Sequence, residues 1–389
     1  MRLTSDMERY LAESQEELRQ LIRDLCAIPA PSHHEEGRAE FCKRWFEANG
    51  GENVTIDEAL NVICPCGETE TGDVTVFMAH MDTVFPDMEP LPFREADGRF
   101  FCPGVCDDTA NLAVLLICAR YFLRRGTPPK TGLVFVANSC EEGLGNLKGS
   151  RAIAARYGSR LRELISLDGT RLNVLVTKAV GSHRYRVTVR TEGGHSFGAF
   201  GNRNAIRCLA SLIDTLYTVK VPVDGDSRTT YNVGTISGGT SVNTIAQEAE
   251  MLYEYRSDSR VCLGKMQKMF ERVTAAYAAM GIGVEVEKIG DRPCAGTVDP
   301  VRYQALLDRA SASIREILGR EPQFRSSSTD CNIPLSLGIP AVCMSVCTGS
   351  GCHTREEYLE LDSLLPGSRL FLDFLADYFP ADEKEAFQP

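Results

Sequence analysis

Five short stretches of the sequence carry residues able to bind metal ions or move protons. His80 and Asp82 close the run VTVFMAHMD, and Asp107 and Asp108 open GVCDDTANLAVLL. Glu141 and Glu142 follow VFVANS, Asp168 follows LISL, and His353 sits in the glycine-rich TGSGCHTREEYLEL. Each alone has an ordinary reading. A loop histidine is commonly hydrogen-bonded to a turn aspartate, an acidic pair is commonly solvated, and an aspartate such as Asp108 suits the start of a helix. Together they are harder to dismiss, because each follows a predicted buried strand of a single sheet. Carboxylates gathered in one crevice repel one another unless cations neutralise them. Mixed nitrogen and oxygen donors suit zinc, with manganese and cobalt as near neighbours.

The elements that must position these residues are legible in outline. The segment 74–79, VTVFMA, is apolar and includes two β-branched valines, as expected of a strand covered on both faces. Residues two apart on a strand point the same way, so His80 and Asp82 share a face if the extended geometry persists. In open α/β sheets, ligands bind beyond the C-terminal strand ends. A helix is expected over 1–26, then a Ser32 to Glu35 capping box leading a helix that ends at Gly50. Strand-like and helical stretches then alternate: a helix near 109–125, a strand at 131–139, a helix near 148–157 and a strand at 163–168. That order predicts βαβ crossovers and a mainly parallel sheet with helices on both faces.

The character changes near residue 180, where HRYRVTVRTEG alternates polar and apolar residues. The elements that follow read β-α-β-β-α-β, the ferredoxin-like α+β unit. Buried patterning returns from about 291, with a helix over PVRYQALLDRASASIREILG, a strand over IPAVCMSV and a last helix at 363–379. The expected organisation is therefore an α/β domain of residues 1–179 and 291–389, with residues 180–290 inserted as a smaller domain. A chain of 389 residues is long enough for two cores.

Composition narrows the partners. A net charge of −11 argues against nucleic acid, whose binders need a basic stripe. No run of 18 apolar residues suggests a membrane span, and the stretch after Met1 is amphipathic rather than secretory, so a cytoplasmic protein is expected. The 15 cysteines are scattered through predicted elements, which favours reduced thiols. A structural zinc site at Cys64 and Cys66, or at Cys347, Cys352 and His353, lacks the usual paired spacing. The glycines of GTISGGTS lack the strand–helix context of a phosphate loop.

Taken in order, HMDTV, DDTAN, SCEEG, LDGT and CHTREEYLEL resemble the M20 family of co-catalytic zinc peptidases and amidohydrolases, over essentially the whole chain. The resemblance implies two zinc ions per subunit, with manganese or cobalt as substitutes. His80 would bind one and His353 the other, Asp107 would bridge them, and Glu142 and Asp168 would complete the separate sites. Asp82 would orient His80, since a ligating imidazole usually donates its other N–H to a carboxylate. Glu141 would be the general base that takes a proton from the metal-bridging water. The inserted domain matches the family's lid or dimerisation domain. His195 in TEGGHSFGAFGNRNAI would stabilise the oxyanion, while Asn243 in GGTSVNTIA and Arg256 in YEYRSDS would hold a substrate carbonyl or carboxylate. A homodimer is implied, each lid supplying its histidine to the partner's site.

The chain departs from the family where members usually read DDKG or DMKG, for here Asp107, Asp108, Thr109, Ala110 and Asn111 stand. Asp168 is more informative, because within the family an aspartate there accompanies aminopeptidases and dipeptidases, and a glutamate accompanies carboxypeptidases and deacylases. The expected activity is therefore dinuclear zinc hydrolysis of short peptides, by a di- or tripeptide aminopeptidase. The alternatives are an N-acyl amino acid amidohydrolase and a catalytically silent peptide-binding homologue.

Overall fold

The structure is a computed structural model that describes residues 3–380. Unbroken apolar sequence builds its central layer. Val74–His80 and Gly132–Asn138 are buried along their whole lengths and pair in parallel from Val74 opposite Gly132 to His80 opposite Asn138. Leu161–Leu167 runs parallel on the other side of Val74–His80, and Ala341–Met344 runs parallel to Leu161–Leu167. Antiparallel strands flank this core, giving the order Thr55–Ile56, Val62–Cys66, Gly132–Asn138, Val74–His80, Leu161–Leu167, Ala341–Met344, Val174–Ala179, Gln323–Ser327. The result is a mixed α/β fold with a mainly parallel central sheet.

Helix packing follows from the same apolarity. The helix ANLAVLLICARYFL, Ala110–Leu123, is apolar all round and buried at every position. On the sheet, Phe77 meets Phe371 and Phe374 of helix Leu364–Ala376 at ring separations of 5.8 and 6.3 Å, and Tyr378 at 5.0 Å. Burying such an aromatic stabilises by roughly 1.5–3 kcal/mol. Among the described residues no helix is long and apolar enough to cross a membrane, and the 15 cysteines are free.

Two local expectations are corrected. The helix predicted over 1–26, whose first two residues lie outside the described part, is two helices, Ser5–Glu13 and Gln15–Cys26, interrupted at Ser14. Ser14 Oγ accepts a hydrogen bond from Arg120 Nη2 at 3.2 Å, tying the break to the buried helix. The capping box is also absent. Helix Glu36–Ala48 has Glu35 at its N-cap with no side-chain cap bond, and the side chains of Ser32 and Glu35 go elsewhere.

The chain divides into two compact units, one built from the segments up to Thr177 and from Thr297 onward, the other Lys178–Gly296. The second unit has four antiparallel strands in the order Thr229–Gly238, Glu248–Ser257, Gly181–Arg190, Gly283–Arg292, with helices Ala205–Tyr217 and Arg260–Ala279. Its main elements run β-α-β-β-α-β along the chain. Its period-two pattern has a simple cause. Tyr185, Val187 and Val189 face a core with Leu209, Leu212 and Phe270, while Arg186 and Arg190 on the alternate positions carry ion pairs. Arg186 meets Glu287 at 2.6 Å and Arg190 meets Glu248 at 2.9 Å. Both helices begin on polar caps: Asn204 accepts from Ile206 and Arg207 N–H, and Ser259 from Cys262 N–H.

Candidate metal centre

The parallel strands deliver their polar residues to one crevice at their C-terminal ends. His80 is the last residue of its strand, and its imidazole is buried. Its Nδ1 lies 3.0 Å from the Asp82 carbonyl oxygen and 3.4 Å from Asp82 Oδ1. Its Nε2 lies 3.2 Å from Asp107 Oδ1, while Asp107 Oδ2 lies 3.2 Å from His353 Nε2. One carboxylate thus offers one oxygen to each of two histidines. His353 Nε2 is also 3.0 Å from Glu142 Oε1.

Among the described residues, donor atoms gather in three overlapping sets, each with its ligand atoms within 4.8 Å of one another: His80, Asp107, Asp108 and Asp168; His80, Glu141 and Glu142; and Asp107, Glu142 and His353. His80, Asp107, Glu142, Asp168 and His353 are all brought together, with Glu141 and Asp82 beside them. Asp108, read from the sequence as a helix start, is not one: it is buried, non-helical, and accepts from His80 N–H at 3.0 Å and Asn111 Nδ2 at 2.7 Å. Asn111 Oδ1 in turn accepts from Val346 N–H at 2.9 Å, so the unusual DDTAN sequence ties this loop to the end of Ala341–Met344.

Buried carboxylates hold the ligand-bearing loops. Asp82 accepts from Glu141 N–H at 3.0 Å through Oδ1, and from Glu142 N–H at 2.9 Å and Ser32 Oγ at 2.6 Å through Oδ2. Its carboxylate therefore serves the Glu141–Glu142 turn more closely than the His80 ring. Glu357, four residues past His353, accepts from the N–H groups of Gly104, Cys106 and Asp107 at 2.8, 2.8 and 2.9 Å. One side chain thereby fixes the turn that presents Asp107. Sequence reasoning missed Glu357, because nothing in REEY separates a buried glutamate from its solvated neighbour Glu356.

The electrostatics reflect crowding. Burial, together with Asp107, pushes the Asp168 carboxyl up to about 7, and burial pushes Asp108 well above the usual carboxylate range. Burial alone would lower the His80 imidazole, but Asp108, Asp107 and Asp82 outweigh it and hold it well above its ordinary value. Asp107 and Glu142 raise His353 to about 10. Two imidazoles amid carboxylates that repel one another form a donor set that fits divalent cations, which would relieve the repulsion.

In the smaller unit, the two-residue strand Gly194–His195 pairs with Thr244–Ile245, and Ser196 N–H donates to the Asn243 carbonyl at 2.9 Å. His195 and Asn243 are thus neighbours on one exposed ribbon. Arg256 is not with them. It lies near the far end of Glu248–Ser257, opposite Thr230 and Ser182, with its Nε 2.7 Å from Glu254 Oε1.

Residues 76–377 match the model of Peptidase family M20/M25/M40, and the chain belongs to that family. Membership makes it a metal-dependent amide hydrolase. The chain is similar to the uncharacterized protein YqjE of Bacillus subtilis, 26% identical over 377 residues that cover 91% of this chain and 96% of that one. In fold it is similar to a tripeptidase from Staphylococcus aureus, with a TM-score of 0.76 and 22% identity over 94% of this chain and 98% of that one. It is likewise similar to YXEP of Bacillus subtilis, a dinuclear metal binding peptidase of the M20 family, with a TM-score of 0.66 and 17% identity over 95% of this chain and all of that one.

Proposed function

We propose that this chain is a dinuclear zinc exopeptidase that cleaves di- or tripeptides bearing a free amino terminus. The observation that carries the reading is the Asp107 carboxylate, whose two oxygens each face a different histidine at 3.2 Å. His80 and Asp168 would hold one ion, His353 and Glu142 the other, and Asp107 both. Two divalent ions so held would acidify a water and polarise the scissile carbonyl.

The protein's own groups do the rest. Glu141 is buried, and its backbone N–H is anchored on Asp82, so its carboxylate can take the proton of the attacking water and deliver it to the leaving amine. His195 Nδ1 accepts from the N–H groups of Phe197 and Gly198, each at 3.3 Å, which leaves Nε2–H as the donor to an oxyanion. Asn243 and Arg256 would bind substrate carbonyl or carboxylate. The aspartate at 168, where deacylases of the family carry glutamate, is what favours a free-amine substrate.

The homodimer is part of the same reading. The edge strand Thr229–Gly238 is largely exposed, and Phe197 and Phe200, beside His195, are 89% and 90% exposed, as surfaces awaiting a partner would be. The 15 free thiols favour a reducing, cytoplasmic setting.

The test is hydrolysis by zinc- or manganese-loaded protein of free di- and tripeptides and their N-acetyl counterparts, with a Glu141→Gln control. Cleavage of only the free-amine set is expected. Cleavage of the acetylated set would instead make the protein an N-acyl amino acid amidohydrolase, and zinc and peptide binding without turnover a silent homologue.

A further inference from the structure

Ser32 and Glu35 have the sequence spacing of a helix cap, yet neither caps the helix that follows. Glu35 is fully buried, and its Oε1 accepts from Cys140 N–H at 2.9 Å and from Cys140 Sγ at 3.3 Å. Ser32 Oγ donates to Asp82 Oδ2 at 2.6 Å and lies 3.3 Å from the Glu142 carbonyl oxygen. Three consecutive backbone N–H groups, those of Cys140, Glu141 and Glu142, are therefore captured by two buried carboxylates, Glu35 and Asp82. Cys140 itself sits at φ 57°, a left-handed conformation that side chains other than glycine adopt reluctantly and that surrounding contacts must impose. Glu35 is costly where it stands. Its Oε2 is buried without a hydrogen-bond partner among the described residues.

We propose that Glu35, supported by Ser32, is a positioning residue that locks the Cys140–Glu142 turn, so that Glu141 is aimed at its proton while Glu142 remains a ligand. The proposal rests on Glu141 being the proton carrier. Once the Glu35 acceptor is gone, Cys140 relaxes out of the left-handed region and carries the neighbouring Glu141 with it. The ligands His80, Asp107, Asp168 and His353, held by other contacts, stay in place.

The experiment compares Glu35→Ala, Glu35→Gln and Glu141→Gln for kcat, KM, bound metal per chain and amide hydrogen exchange, on free dipeptides and with the metal-loaded protein. Glu35→Ala is expected to lose kcat by about 10–100-fold with KM and metal content unchanged. Exchange should quicken in the segment around Cys140 and nowhere else. Glu35→Gln, which keeps an acceptor oxygen for Cys140 N–H, should recover most of the activity. If Glu35→Ala does not fold, Glu35→Asp, which draws the acceptor back by one methylene, should show the same loss of kcat. The proposal is overturned if kcat is unchanged, if the loss follows bound metal alone, or if the glutamine variant is as impaired as the alanine one. Parental turnover by Glu141→Gln would instead remove the proton-carrier reading, and with it the target that Glu35 is said to aim.

Discussion

The two regions that carry the candidate chemistry are built in opposite ways. In the larger unit three of the segments bearing candidate ligands are tied by buried carboxylates: Asp82 holds the Glu141–Glu142 turn, Glu357 holds the Asp107 turn, and Asp108 holds the His80 backbone. In the smaller unit His195 and Asn243 ride on a two-residue ribbon at the surface, with ordinary hydrogen bonds and exposed phenylalanines for neighbours. A metal centre must be rigid before substrate arrives, because misplaced donors lose affinity and reactivity together. A group that only greets the transition state can be carried on a movable element and brought up when needed.

That contrast breaks or holds at measurable points. The largest effect belongs to Glu141→Gln, expected to lower kcat by about 10²–10⁴-fold with metal content intact; near-parental turnover would take the base out of the tied region. His195→Ala should lower kcat by about 10²–10³-fold and leave metal occupancy alone. A drop in bound metal would show that the ribbon is part of the centre. Asp82→Ala should weaken metal affinity by about 10–100-fold in chelator competition, and intact affinity would mean that the buried tethers are dispensable. Smaller still, Asn243→Ala should raise KM by about threefold to tenfold, the worth of one neutral hydrogen bond. Arg256→Ala should do less, because its guanidinium is already engaged by Glu254.

Acidity supplies a further test of the tied region. Folding raises His353 from 6.5 to about 10 and Asp168 from 3.8 to about 7. Both groups hold protons in the folded chain that the unfolded chain releases. Their contribution to stability is therefore complete below the unfolded values and is lost as pH rises through about 7 for Asp168 and about 10 for His353. The metal-free protein should accordingly lose Tm across that interval. Metal ions require both groups deprotonated, so the stabilisation they bring should grow over the same range. A metal-free Tm that stays flat with pH would contradict the protonated cluster.

The parts of this molecule legible in the sequence are those where burial imposes a pattern. Val74–His80 and Gly132–Asn138 are covered on both faces, which leaves only apolar choices. Gly181–Arg190 alternates because one face meets helices and the other carries ion pairs. Thr55–Ile56 is too short for any period to show, and Val62–Cys66 carries Pro65, which obscures it. At the centre, the candidate ligands His80, Glu142 and Asp168 stood out because they follow buried parallel strands, whereas Asp107 and His353, expected after strands of the same sheet, lie beyond Arg99–Phe101 and Gly349–Ser350 of a separate four-stranded sheet. Their supports did not stand out. Ser32-His33-His34-Glu35 fits a helix cap as well as it fits a tether to distant residues, and Asp108 fits a helix start as well as it fits a buried acceptor. Only the long-range partners decide, and those are invisible locally.

The strand order has a consequence for how the molecule is made. Ala341–Met344 lies between Leu161–Leu167 and Val174–Ala179. On the ribosome the inserted unit, continuous from Lys178 to Gly296, can close its own sheet while the larger sheet still lacks an interior strand. The larger sheet must wait across a loop of more than a hundred residues, a slow and non-local closure. His353 emerges only after that strand. The nascent chain therefore cannot assemble the candidate metal centre until the residues beyond Ala341–Met344 have been made.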